Sequence, residues 1–202
     1  MNELKAQFFD TQASEPWAMD DLSPEELRKI SRMFHLADIR PGMKILEPGC
    51  GTGRLTELLA ERVGPAGMVV ALDISPGMVE ACRRRISDHG NVRVFQACLE
   101  ELNEGPASFD LVVCHNVYPH FDDKTEATKK LAAALQPTGK LIVFHFMESA
   151  WINDMHRKTH PSVREDLIPG ALEMARIFSL AGLRIDFLED GQDGYLLSAS
   201  LR

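Results

Sequence analysis

The residues Ile45-Leu46-Glu47-Pro48-Gly49-Cys50-Gly51-Thr52-Gly53-Arg54-Leu55-Thr56 decide how the rest of the chain is read. A short apolar strand, Met43 to Leu46, runs into three alternating glycines. A helix follows, with apolar residues at Leu55, Leu58, Leu59 and Val63. Glycine lets the backbone take positive φ and approach a ligand with no Cβ in the way. The helix start aims unsatisfied N–H groups at whatever is bound. Strand, glycine turn and helix together predict a nucleotide-type site.

Spacing narrows the ligand. A dinucleotide fingerprint needs G-x-G-x-x-G, its last glycine serving close helix–strand packing. Here Gly49, Gly51 and Gly53 read G-x-G-x-G, and Arg54 stands where the third glycine of that fingerprint would be. Glu47 lies just inside the turn, where a carboxylate repels a pyrophosphate and suits a positively charged ligand. At these residues the chain resembles the class I S-adenosylmethionine-dependent methyltransferases. Their first motif is an apolar run, an Asp or Glu, then G-x-G-x-G, and Ile45 to Gly53 matches it position by position. The resemblance implies that Glu47 and the amides of Gly49, Cys50, Gly51 and Gly53 hold the methionine end of S-adenosylmethionine.

The composition bounds the alternatives. A chain of 202 residues with 45% hydrophobic content has ample material for an ordinary core. A net charge of −8, with no long lysine–arginine run, argues against a nucleic-acid binder. Cys50, Cys82, Cys98 and Cys114 show no C-x-x-C spacing, and they read as reduced thiols. No apolar run approaches a membrane span and Met1 to Asp10 lacks the apolar core of a signal peptide, so a cytoplasmic location is expected.

Residues 1–40 are expected to form an N-terminal helical lid, and residues 41–202 the cofactor-binding domain. Ser23 as N-cap, Pro24 at N1 and Glu26 at N3 predict a capping box. The helix it opens carries Leu27, Ile30, Met33, Phe34 and Ala37 on one face and stops at Arg40-Pro41-Gly42. Phe8-Phe9-Asp10 and Trp17 resemble the aromatic segment with which many small-molecule methyltransferases cover their substrate. They read equally as anchors for a mobile terminus.

Met68 to Asp73 is a continuous apolar run ending in an acid, as expected of a parallel strand buried on both faces. Asp73 falls 20 residues after Gly53. At that strand tip a carboxylate can accept both hydroxyls of a ribose, at about 1.5–3 kcal/mol per charge-assisted bond. Ser75-Pro76 opens the next helix, and the resemblance puts Ile74 and Met78 near the adenine. A third strand is expected at Val92 to Gln96. The family usually carries an Asp two positions beyond it, where this chain has Cys98, which leaves the Leu99 backbone N–H to serve the adenine.

Phe109 to Cys114 reads as strand four, its Cys114 carbonyl a candidate partner for the cofactor's amino group. Ligands of a doubly wound sheet sit beyond the carboxyl ends of its strands. This puts His115, Asn116, Tyr118 and His120 on the acceptor side, with Trp17 from the lid. A helix is expected over Asp122 to Leu135, a turn at Gln136-Pro137-Thr138-Gly139, and strand five over Lys140 to Phe146. Gly182 to Glu189 and Gly194 to Leu201 read as a final hairpin. The set predicts an α/β fold: a doubly wound seven-stranded sheet, mostly parallel, with an antiparallel hairpin strand and helices on both faces.

His145, Glu148, Asn153, His156, Arg157 and His160 fall within 16 residues. If Glu148 to Lys158 is helical, Glu148 and His156 share a face, with His160 one turn on. Three readings stand: acid–base or polar substrate contacts, caps and surface histidines, or a metal held by His145, Glu148, His156 and His160. No metal is the expectation adopted. A hydroxyl or protonated-amine acceptor needs a base, for which His145, His120 and Tyr118 are the candidates, in that order.

The resemblance is nearest to the ubiquinone and menaquinone type of methyltransferase, through the shared cofactor half. It implies methyl transfer from S-adenosylmethionine to a small molecule, leaving S-adenosylhomocysteine, by a monomer or homodimer with no nucleic-acid or membrane partner. A protein or nucleic-acid acceptor is one alternative, although the Asn-Pro-Pro-Tyr type of signature is absent after strand four. A non-catalytic S-adenosylmethionine-binding module is the other.

Overall fold

A computed structural model describes residues 2–102 and 105–202. The chain divides into two compact units, residues 1–103 and 104–202. Its seven strands belong to one mixed sheet with helices around it, the expected fold class.

In the first unit, helices α1 (Glu3–Gln12), α2 (Pro16–Met19) and α3 (Pro24–Ala37) precede strand β1 (Lys44–Pro48). Ser23 Oγ accepts the Glu26 N–H at 3.2 Å, and Glu26 Oε2 accepts the Ser23 N–H at 2.7 Å. The predicted capping box is therefore complete. Ile30, Met33 and Ala37 are buried as expected, whereas Leu27 is left 42% exposed. Asp38, in the left-handed region at φ 58°, ends the helix.

Helix α4 (Arg54–Val63), strand β2 (Met68–Asp73), helix α5 (Pro76–Arg85) and strand β3 (Val92–Gln96) complete the unit. The strands order β3-β2-β1 and pair in parallel, with Glu47 beside Ala71 and Asp73 beside Gln96. Strand β2 is buried from Val69 to Asp73, as its apolar run predicts, whereas β3 buries none of its residues and exposes Arg93, Phe95 and Gln96.

The second unit orders β4 (Phe109–His115), β5 (Leu135–His145), β7 (Gly194–Leu201) and β6 (Leu183–Gly191), with β7 antiparallel to both neighbours. Helix α6 is Lys124–Ala134. The turn expected at Gln136 to Gly139 is instead an irregularity inside β5: Phe109 pairs with Leu135 and Leu111 with Lys140. Gly139 suits that bulge, because a Cβ there would come within 3.0 Å of the Phe109 and Gln136 carbonyl oxygens. Helix α7 (Ser149–Lys158) starts one residue later than expected, with Glu148 as N-cap. Helix α8 (Ala171–Leu180), for which the sequence reading made no provision, buries Met174, Ile177 and Phe178.

All four cysteines are buried thiols outside any disulfide. Among the described residues no helix is long and apolar enough to cross a membrane.

Candidate active site

The glycine turn between β1 and α4 holds Gly49, Gly51 and Gly53 at φ 70°, 55° and 86°, all in the region disfavoured for side chains. The three glycines differ in what surrounds them. A Cβ on Gly53 would lie 2.8 Å from Cys82 Sγ and 3.2 Å from Cys82 Cα, so Gly53 lets α4 approach α5. A Cβ on Gly51 would meet nothing nearer than Met78 Sδ at 4.0 Å. Gly51 therefore has open space before it.

Asp73 fixes that turn. Its Oδ2 accepts the Gly51 N–H and its Oδ1 the Ser75 N–H, each at 2.9 Å. Burial raises the Asp73 pKa, partly offset by the N–H groups of Ser75, Gly51 and Ile74. Glu47 is 1% exposed, and its Oε2 accepts the Thr56 hydroxyl at 2.7 Å. Burial pushes its carboxyl well above the ordinary range, with Cys82 and Asp73 adding to the rise. Met78 is buried and Ile74 half-buried. Cys98 is buried, and its N–H donates to Glu101 Oε2 at 3.0 Å. Leu99 is buried beside it.

The N-terminal segment is tied onto this turn. Asp10 Oδ1 accepts the Gly77 N–H at 2.7 Å and the Ser75 hydroxyl at 3.0 Å. Thr52 donates to the Ala18 carbonyl, Arg54 Nη1 to the Trp17 carbonyl at 2.6 Å, and Arg85 Nη2 to the Met19 carbonyl at 2.9 Å. Trp17 contributes its backbone to this anchoring. Its indole is 56% exposed and donates to Gln12 Oε1 at 3.4 Å.

The second unit holds the residues expected on the acceptor side. Cys114 is fully buried in β4. The His115 ring stacks on Phe144 at 5.2 Å and meets Phe146 edge-on at 4.7 Å. Asn116 is exposed, at φ 52°, with its N–H on the Phe144 carbonyl. Tyr118 is not placed as a base. It is fully buried, shares a 2.8 Å hydrogen bond with Thr128 Oγ1, and burial drives its pKa up.

His120 and His156 converge. His120 Nδ1 lies 2.9 Å from Asp166 Oδ2, and the two imidazole centroids are 4.9 Å apart. His156 Nδ1 donates to the Asp166 carbonyl. Asn153 makes two bonds to the Ile168 backbone, at 3.0 and 2.8 Å, so α7 pins the loop that carries Asp166. His145 is 3% exposed and stands opposite Tyr195 in the β5–β7 register, their rings 6.1 Å apart. Burial, and then the charges of His115, His120 and His156, push its pKa well below 6.5. The buried His145 ring is therefore held in its neutral form. His145 Nε2 and the Tyr195 hydroxyl are buried with no protein hydrogen-bond partner.

The four-ligand metal set does not assemble. Glu148 and His160 are exposed, and His160 Nδ1 lies 2.8 Å from Ser162 Oγ. Among the described residues no group of three or more His, Cys, Asp or Glu could hold a metal ion. Asp166 and Tyr195 were missed in the sequence. Asp166 lies 46 residues from His120, and nothing near either residue signals the pairing.

Residues 45–139 match the family described as "Methyltransferase domain". That segment, 95 of the 202 residues, carries the glycine turn and strands β2 to β4. Similar curated proteins include two ubiquinone/menaquinone biosynthesis C-methyltransferases. The one from Hahella chejuensis is 32% identical over 70% of this chain and 59% of its own length. The one from Idiomarina loihiensis is 31% identical over 76% and 64%. This chain thus spans about three fifths of those relatives. Among solved structures, a putative methyltransferase complexed with the Trm112 methyltransferase activator from Haloferax volcanii superposes with TM-score 0.80 at 18% identity. The match covers 97% of this chain and 96% of that one. Magnesium protoporphyrin IX methyltransferase from Synechocystis, solved with bound SAH, gives TM-score 0.73 at 18% identity over all of both chains.

Proposed function

We propose that the protein is an S-adenosylmethionine-dependent methyltransferase acting on a small-molecule acceptor. The observation that carries this reading is the contrast between two glycines. Gly53 is filled against Cys82, while Gly51, bonded to Asp73, faces open space at positive φ. A turn serving only chain reversal has no need of an open glycine beside a fixed carboxylate.

The residues present fit the cofactor. Asp73 Oδ1 and Oδ2 keep acceptor capacity beyond their two backbone bonds, which suits ribose hydroxyls. The turn amides and Glu47 suit the methionine end, and Ile74, Met78 and Leu99 supply apolar surface for an adenine. When bound, the cofactor supplies an electrophilic sulfonium methyl. The protein's part is then to orient, exclude water and manage the acceptor's proton, and orientation alone can contribute about 7–11 kcal/mol. The relatives' description as C-methyltransferases supports a carbon acceptor in a small molecule. The N-terminal segment, 1–40, is read as the cover of the cofactor side. Release of S-adenosylhomocysteine across a panel of hydroxylated, amine and carboxylate acceptors tests this function. Cofactor binding with no release from any of them would favour a binding module instead.

A further inference from the structure

Two cysteines of the first unit meet at the glycine turn. Cys50 stands in the turn itself, between Gly49 and Gly51, and Cys82 lies on α5. With Ala71 and Ile86 they form one buried cluster, in which Cys50 keeps 6% exposure and Cys82 none. Their thiols are within hydrogen-bonding reach of each other, and that contact is the first cause of both shifts. It pushes the Cys50 thiol well up, with burial adding to the rise. It draws the Cys82 thiol down against the effect of burial, helped by Thr56 and the Arg85 guanidinium. Cys82 is therefore the thiol that ionises first, and a thiolate is the form that oxidants attack.

The turn is fastened on its other side to β2. Cys50 N–H donates to the Leu72 carbonyl and Gly51 N–H to Asp73 Oδ2, each at 2.9 Å. Cys50 Sγ lies 3.7 Å from the Gly51 carbonyl oxygen, on the turn's own backbone. The Cys82 sulfur fills the space that Gly53 leaves, since a Cβ there would lie 2.8 Å from it. A covalent bond holds two sulfurs closer than unbonded thiols approach. Cys82 sits inside a helix, so the turn is the part that gives, and it is drawn from β2 toward α5.

We propose that Cys50 and Cys82 are a redox-sensitive pair, which a hydroperoxide converts to a disulfide that closes the glycine turn to its ligand. The Cys82 thiolate attacks one peroxide oxygen and the O–O bond breaks, leaving a sulfenic acid and hydroxide, which takes up the proton that the thiol released. The Cys50 thiol then attacks that sulfur. The S–O bond breaks, and the departing hydroxide leaves with the Cys50 proton as water. Two electrons pass from the sulfurs to the peroxide, and two waters form. Because Cys82 is buried, the first step waits on an opening of the turn, and a molecule filling the turn suppresses it. That this molecule is S-adenosylmethionine rests on the methyltransferase reading.

The test treats ligand-free protein with hydrogen peroxide, denatures it and counts its thiols. Two of the four cysteines should lose their thiols, a proteolytic peptide pair joined through Cys50 and Cys82 should appear, and dithiothreitol should reverse both changes. Cys50→Ser should leave Cys82 as a sulfenic acid that dimedone captures, while Cys82→Ser should leave Cys50 unmodified. Saturating S-adenosylmethionine should slow the loss of thiols. By calorimetry the oxidised protein should bind S-adenosylmethionine about tenfold more weakly, the loss of one bond such as that from Gly51 to Asp73, and recover on reduction. Retention of all four thiols overturns the proposal. So do a crosslink through other cysteines, dimedone capture of Cys50 in Cys82→Ser, and equal cofactor affinity before and after oxidation. Failure of the reduced protein to bind S-adenosylmethionine sinks the methyltransferase reading instead, while the peptide map still decides the disulfide.

Discussion

The carboxylate of Asp73 accepts the backbone N–H of Gly51 at 2.9 Å, tying the tip of β2 to the middle of a turn 22 residues upstream. The bond spans the two features that the sequence singles out separately, and it sets their relative position before any ligand arrives. It also divides the glycines of the turn by role.

Gly53→Ala and Gly51→Ala should therefore fail differently. Both force a side chain into the left-handed region, at about 1–2 kcal/mol. Gly53→Ala adds a clash with the Cys82 backbone and so should lose more stability in urea unfolding. Gly51→Ala should fold nearly as well and lose more affinity for S-adenosylmethionine. Equal loss of affinity from both substitutions would mean that Gly51 has no ligand-facing role.

Glu47 gives a signed pH effect. Its folded pKa is raised well above 4.5 by burial, so the fold prefers the protonated form. Its contribution to stability is full below about pH 4.5 and is lost as pH rises toward the raised value. Relative to Glu47→Gln, the ligand-free wild type should lose stability over that rise. A wild type that gains on the variant as pH rises would contradict the burial account.

His145 has the opposite sign. Its folded pKa is depressed, so its stability contribution is present above pH 6.5 and lost as pH falls through the depressed value. His145→Phe should flatten the acid limb of melting temperature against pH, while changing stability little at neutral pH. An acid limb as steep in the variant as in the wild type counts against a buried, neutral His145.

Asp10→Ala removes the acceptor shared by the Gly77 N–H and the Ser75 hydroxyl. Loss of such a cap costs about 0.5–2 kcal/mol. Because Asp10 fastens α1 to α5, the variant should be cleaved faster within residues 2–20 by limited proteolysis. Unchanged cleavage would show that the Thr52, Arg54 and Arg85 bonds alone hold the segment.

How much of this was legible depends on how local each cause is. Strand β2 has the expected bounds, because a buried parallel strand writes itself as an apolar run ending at a turn. The capping box is written in four adjacent residues. The roles around the acceptor are not. A tyrosine after β4 reads the same whether its hydroxyl meets a substrate or Thr128 on α6, and only packing makes it a core residue. His145 reads by position as a residue facing an acceptor, and its burial at 3% exposure has no signal in the sequence. Asp166 sits in a loop pinned by tertiary bonds from α7, so its carboxylate had no local signature.

Calorimetric titration of S-adenosylmethionine into wild type and Asp73→Ala tests the central claim most directly. If Asp73 holds the ribose, the wild type binds and the variant binds about 10- to 100-fold more weakly, the loss of about 1.4–2.8 kcal/mol. Equal affinity in a variant that melts as the wild type does, or no binding by the wild type, would contradict the assignment of this turn as the methyl-donor site.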